Sequence, residues 1–212
     1  WGLNIHAIKL NDDDVRLAFC FMNKVMHQQS MWKTKEPLVW RLFQIAFILQ
    51  CIPGLVKDDY PDRLICDLLW FPTAAGKTEA YLGLSILTLA LRRRRDRSRD
   101  AEGAGTSVLS RYTLRMLTIQ QFRRALVAIT ACEYLRIKNW RPKGYPKSEE
   151  NLWGTARFSI GLWVGQEVTP NRLVDHKSWD TLERREVRYP GAVSRLMGFE
   201  IYAGTGFRVK KL

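Results

Sequence analysis

The stretch Phe71-Pro72-Thr73-Ala74-Ala75-Gly76-Lys77-Thr78 constrains this chain more than any other, because a small-residue turn ending in Gly-Lys-Thr suits the phosphates of a nucleoside triphosphate. Such a turn joins a buried strand to a helix, so that successive backbone N–H groups and the positive helix end converge on one anion. Lys77 would then reach the outer phosphates, and the Thr78 hydroxyl would ligate a Mg²⁺ that also bridges phosphate oxygens. Thr73, Ala74, Ala75 and Gly76 supply the cradle for ATP, and Glu79, in the first helical turn, is counted with them among the nucleotide-binding residues.

The flanks agree with that reading. Residues 64–71 (Leu-Ile-Cys-Asp-Leu-Leu-Trp-Phe) form a short, mostly apolar run, as expected of a central parallel strand covered on both faces. From Thr78 to Leu91 the chain is rich in Ala and Leu, lacks Pro and then turns strongly polar, which predicts a helix packed on that sheet. The usual phosphate loop begins with Gly, whereas Phe71 stands first here and Ala74 and Ala75 fill the middle. An Ala held at positive φ costs about 1 kcal/mol or more relative to Gly, so either the loop avoids that conformation or binding is weakened.

Across 212 residues, an apolar share of 46% is ample for a core, and 34 Lys plus Arg against 21 Asp plus Glu give a formal charge of +13. That balance favours a polyanionic partner, and pairs such as Arg111-Tyr112, Trp140-Arg141, Arg157-Phe158 and Arg188-Tyr189 could serve phosphates and stacked bases. A fragment lacking an acidic partner domain would look equally basic. The densest run, Arg92-Arg93-Arg94-Arg95-Asp96-Arg97-Ser98-Arg99, follows a helix and leads into a small-residue stretch, and it reads as a solvated helix end and flexible loop.

Cys20, Cys51, Cys66 and Cys132 are widely spaced in mostly apolar segments, without a CxxC pair or a zinc pattern, and read as buried free thiols of a reducing compartment, by default the cytoplasm. The longest candidate for a membrane span, Ala80 to Leu91, is well short of the roughly 20 residues needed, so no membrane association is expected. The chain begins with Trp1 and has no leader pattern, which suggests part of a longer polypeptide.

Upstream, Asp12-Asp13-Asp14 can cap a helix whose Val15, Ala18, Phe19, Met22, Val25 and Met26 recur at helical spacing. A second helix is predicted from about Leu38 to Ile52, ended by Pro53-Gly54, with Gln44 interrupting its apolar face. A lone glutamine there is either a partly exposed surface residue or a ligand-reading group. Downstream, residues 106–110 predict a second strand, followed by a loop turning into a helix with Leu114, Leu117, Phe122, Leu126 and Ile129 toward the sheet. Thr113 and Arg115 at that strand's carboxyl end, with Gln120 beyond, are the candidate nucleic-acid contacts, since ligands bind open α/β sheets along that edge. A long loop over 139–154 precedes a third apolar run, 158–164. Thr169-Pro170 reads as a helix cap and first turn. Beyond Asn171 the pattern fades: residues 173–176 do not make a strand ending in an Asp-Glu box, and 198–204 could be one more strand without an assignable role.

The form Pro-Thr-x-x-Gly-Lys-Thr resembles the phosphate loop of superfamily-two helicases, Phe43-Gln44 resembles the element that reads the adenine edge in many of them, and Thr113 with Leu117-Thr118-Ile119-Gln120 resembles their motif Ia. In motif Ia, Tyr112 replaces the usual Pro and the spacing is one residue longer. Residues 38–172 together look like the large helicase of DISARM bacterial antiphage systems. The resemblance implies an α/β fold, a RecA-like P-loop domain with a mainly parallel sheet flanked by helices over 38–172, preceded by a helical segment over 1–37 and continued by an unassigned 173–212. It further implies an ATP- and Mg²⁺-dependent motor acting on double-stranded or branched DNA, a partner protein, and a second RecA-like domain outside this chain. Without a Walker B carboxylate pair the segment alone is expected to turn over ATP negligibly. A small-molecule P-loop phosphotransferase and a non-catalytic P-loop scaffold are the rival readings. GTPase activity is disfavoured, since no guanine-reading Asn-Lys-x-Asp occurs.

Overall fold

The computed structural model describes residues 12–70, 76–96, 103–112, 115–146, 150–162, 174–181 and 183–189. The chain divides into two compact units, Trp1–Ile160 and Gly161–Leu212.

In the first unit the N-terminal aspartates start a helix as their chemistry dictates. Asp12 Oδ1 accepts from the N–H of Asp14 at 2.9 Å and of Val15 at 3.3 Å, Asp13 and Asp14 lie at the positive helix end, and α1 runs Asp13–Thr34. Its Val15, Ala18, Met22, Val25 and Met26 are buried, which is the stripe the spacing predicts, and Phe21 adds the ring that organises the core. That ring lies 4.0 Å from Trp153 and 6.0 Å from Phe158, centroid to centroid. Helix α2 runs Leu42–Val56 and contains Pro53, past the expected stop. A proline in the last turn removes only one backbone bond, and the Lys57 N–H still reaches the Pro53 carbonyl at 3.0 Å. A short 3-10 turn, Pro61–Leu64, follows.

Helix α3, Lys77–Arg95, is packed between α1, α2 and α4 (Arg115–Ile137). A Cβ on Gly83 would lie 2.8 Å from the Trp40 ring and 2.9 Å from Ile48 Cδ1, so the glycine lets α2 and its preceding loop close onto α3. In α4 the buried stripe is Ala128, Ala131 and Cys132, small residues that admit close helix approach, with Leu135, whereas Leu126, expected inward, is exposed. The loop after α4 is not a surface excursion: Leu152 and Trp153 are fully buried, with Trp153 Nε1 donating to the Trp140 carbonyl at 2.6 Å. Cys132 is buried and Cys20 and Cys51 half-buried, but Cys66 is exposed, contrary to the expectation of four buried thiols.

The parallel RecA-like sheet expected from the sequence is not the architecture found. The described residues are mainly helical, and their only sheet is a two-stranded antiparallel one. Of the three expected core strands, the described residues 64–70, 106–110 and 158–162 form none. Apolar runs predict a parallel strand only if neighbours cover both edges and both faces. Here Leu64 is 97% exposed, Trp70 84% and Leu109 78%, so the first two runs lie outside the core, which the helices and the 152–158 segment fill among themselves; of the third run Phe158 is buried in that core without forming a strand. The expected strand ends at Phe71 and 163–164, the cap Thr169-Pro170 and the run 198–204 lie outside the described residues.

The arginine run is also corrected. Its first four residues, Arg92–Arg95, are the last turn of α3, with Arg93 and Arg94 buried rather than solvated, and 97–99 lie outside the described residues. Arg92 donates to the carbonyls of Ala104 (2.9 Å) and Thr106 (3.1 Å), and Arg93 donates to that of Arg157 (2.9 Å) while lying 4.9 Å over the Phe158 ring. Arg94 pairs with Asp14 (2.7 Å) and donates to Leu152 O (3.2 Å); Arg95 reaches Val56 O (2.6 Å) and Asp12 (3.2 Å).

The second unit contains a hairpin, β1 His176–Asp180 and β2 Arg185–Tyr189, in the register His176 with Tyr189 through Asp180 with Arg185. Lys177–Glu186 (3.3 Å) and Arg188–Asp175 (2.5 Å) pairs brace it. Its alternation was too short to announce strands in a segment otherwise without pattern.

Two expectations follow for stability. Because Arg94 is 9% exposed and ion-paired, Arg94→Met should lower the unfolding free energy by about 3 kcal/mol. Urea unfolding followed by tryptophan fluorescence measures it, with Arg94→Lys recovering only part, since an ammonium cannot serve both partners with a planar fork. The second concerns Glu133. Hydrogen bonds from Arg136, at 2.7 and 2.8 Å, hold its carboxyl below the usual carboxylate range, aided by the Phe158 N–H and opposed by partial burial. A depressed folded-state pKa stabilises above the unfolded value of about 4.3, and the contribution is lost as pH falls through the folded value. Glu133→Gln should therefore be less stable at neutral pH, and its deficit against wild type should narrow below about pH 4, as read from unfolding midpoints across pH.

Candidate functional site

The start of α3 is set by Gly76, which caps the helix with φ of 86°. No other residue fits: a Cβ there would lie 2.7 Å from Gln44 Nε2 and 3.4 Å from Glu79 Oε2, on a backbone that side chains disfavour. Lys77, Thr78 and Glu79 then occupy the first turn, with the Glu79 N–H bonded to the Gly76 carbonyl at 3.2 Å. Lys77 and Thr78 are half-buried. The first N–H groups of a helix lack intrahelical acceptors and carry the positive end of the dipole, which favours an anion beside them.

Gln44 joins this turn directly. It is 3% exposed in the first turn of α2, its Oε1 accepts from the Arg41 N–H at 2.9 Å, and its Nε2 donates to the Gly76 carbonyl at 2.7 Å. One amide thus caps α2 and fixes the residue that begins α3, 32 positions away. It is neither a surface residue nor a bystander. Next to it, Phe47 packs edge-on against Tyr81, with centroids 6.0 Å apart, so α2 and α3 stay in register around the turn.

Glu79 is held from the far side. Arg124 Nη2 of α4 forms an ion pair with Glu79 Oε1, both side chains being half-buried. The structure therefore gathers Gln44, Gly76, Lys77, Thr78 and Glu79 at one place and adds Arg124. Sequence reasoning missed Arg124, for no local pattern links a cation to a carboxylate 45 residues away. Thr73, Ala74, Ala75 and Thr113 lie outside the described residues. Arg115 opens α4, and Gln120 is exposed one turn before Arg124. Among the described residues no group of three His, Cys, Asp or Glu could hold a metal. No helix among the described residues is long and apolar enough to cross a membrane.

With this geometry in view, the comparison with known proteins is specific. The chain is 44% identical over 176 residues to the DISARM protein DrmA of Bacillus paralicheniformis (strain ATCC 9945a / NCIMB 11709 / CD-2). By this likeness the chain is DISARM-related. The match covers 75% of this chain and 15% of that protein, so the chain spans a small part of its relative's length. No family model matches the chain, and no solved structure does.

The glutamine bridge makes a sharp test. Gln44→Glu keeps the acceptor for Arg41 but sets a carboxylate oxygen against the Gly76 carbonyl where a donor stood at 2.7 Å. It should cost about 1–3 kcal/mol at pH 7. Protonation restores a donor, so the folded state raises this carboxyl's pKa and the deficit relative to wild type should shrink as pH falls below that value. Unfolding midpoints of the two proteins at pH 7 and pH 4.5 provide the comparison.

Proposed function

We propose that this chain carries the nucleotide-holding turn of an ATP-dependent helicase or translocase that acts on DNA in antiphage defence. The observation that carries the proposal is the Gln44–Gly76 hydrogen bond, which brings the glutamine and the Gly-Lys-Thr turn, resembling two separate helicase elements, into one site. The likeness to DISARM protein DrmA and the formal charge of +13 support it.

In this reading the N–H groups at the start of α3 bind phosphate oxygens, Lys77 binds the outer phosphates and the Thr78 hydroxyl contributes one ligand to Mg²⁺. Bound Mg²⁺ supplies neutralisation of the charge that develops on the transferred phosphoryl group. Gln44 holds the turn through the Gly76 carbonyl, and a base read by its amide would have to compete with that bond or with the one from Arg41. The water-orienting groups, a second motor domain and a partner protein of a defence complex are proposed to lie outside these residues. Thr113, Arg115 and Gln120, around the start of α4, are the proposed contacts to the nucleic-acid backbone.

The full-length protein should hydrolyse Mg-ATP faster with DNA than without it, and Lys77→Ala should lower that rate by about 100-fold or more. DNA affinity should fall steeply with salt. Turnover indifferent to DNA but dependent on a small-molecule acceptor would replace the motor by a phosphotransferase, and absence of nucleotide binding by the wild type would remove both.

A further inference from the structure

We propose that Arg124 is a positioning residue that neutralises Glu79 and so sets how tightly the Gly76–Thr78 turn holds a nucleoside triphosphate; this rests on the nucleotide reading of the site. Glu79 stands in the third position of α3, and its Oε2 lies 3.4 Å from where a Cβ of Gly76 would project. The carboxylate is therefore folded back over the turn instead of pointing along the helix into solvent. A carboxylate in the first turn suits the helix dipole when nothing else is bound, but it repels a polyanion bound at the same N–H groups.

Arg124 removes that conflict. Its guanidinium engages the other carboxylate oxygen, Oε1, and both partners are half-buried, so water screens the interaction less than on an open surface. The cation also comes from α4, whereas Gly76, Lys77 and Glu79 belong to the start of α3. The charge facing the triphosphate thus depends on where α4 sits. Whatever shifts α4, including a strand gripped near Arg115 and Gln120, changes nucleotide affinity, and nucleotide changes that grip by the same factor.

The test uses the full-length protein and a fluorescent ATP analogue with Mg²⁺, read by anisotropy, on wild type, Lys77→Ala, Arg124→Met, Arg124→Lys, Glu79→Gln and the double variant Glu79→Gln/Arg124→Met. Arg124→Met should weaken binding roughly 10- to 100-fold at low salt and less at high salt. Arg124→Lys should recover most of the affinity. The double variant should bind within about threefold of Glu79→Gln, because no uncompensated carboxylate remains. Loss of the α3–α4 tie alone would weaken Arg124→Met and the double variant equally, and that result overturns the proposal. So does wild-type affinity in Arg124→Met while Lys77→Ala fails to bind, an outcome that leaves the nucleotide reading standing. Failure of the wild type to bind the analogue defeats the nucleotide reading and this one with it. Unfolding midpoints of each variant confirm that the binding comparison is made on folded protein.

Discussion

Four consecutive arginines at the end of α3 hold the first unit together. Together their guanidiniums meet four segments: Arg92 reaches 104–107, Arg93 and Arg94 reach 152–158, Arg94 and Arg95 share the start of α1, and Arg95 reaches the end of α2. A helix C-terminus is the favourable place for such charge, since the dipole there is negative and the last carbonyls lack intrahelical donors. Planar forks spread five N–H donors over three nitrogens and can reach acceptors on separate segments, which a lysine's single nitrogen does less well. The desolvation that buries Arg93 and Arg94 is offset by carboxylate and carbonyl partners and, for Arg93, by the Phe158 ring.

That anchorage explains how the other end of the helix can be specific. With its carboxyl end tied to four segments, α3 acts as a fixed beam, and the positions of Gly76, Lys77 and Thr78 are set by its amino end. The fine adjustment is then made locally by Gln44 from α2 and Arg124 from α4. Three helices thus converge on one backbone turn, two of them through a single polar side chain each. A site held this way is sensitive to helix shifts of well under a turn, because hydrogen bonds weaken steeply with distance and angle.

What could be read in advance was what depends on neighbours in sequence. The Asp12 cap, the 3.6-residue stripe of α1 and the glycine that opens α3 all act within a turn or two. Gln44 was visible only because its flanking pattern resembles a known element; nothing local said that its amide would be buried on Gly76. The arginine run defeated the reading because a charge cluster after a helix is ordinarily solvated, and burial of Arg93 and Arg94 depends on acceptors up to 80 positions away. The three apolar runs failed for a different reason. An apolar segment states that it is covered by something, not by what, and residues 64–70 and 106–110 carry side chains that the described part of the chain leaves exposed.

The same facts change what the net charge means. A formal +13 reads as a footprint for polyanions only if the cations are at the surface. Here Arg92, Arg93, Arg94, Arg95, Arg124 and Arg136 are directed at carbonyls and carboxylates of the protein itself. Their charge still contributes to the long-range field, but their donors are committed, so they cannot form close hydrogen bonds to phosphate without dismantling the fold. These six of the 34 cations can therefore steer a polyanion toward the molecule without supplying the close contacts. Those fall to residues outside the arginine hub, and any contact that moves α4 would be felt at the start of α3 through the Arg124–Glu79 pair.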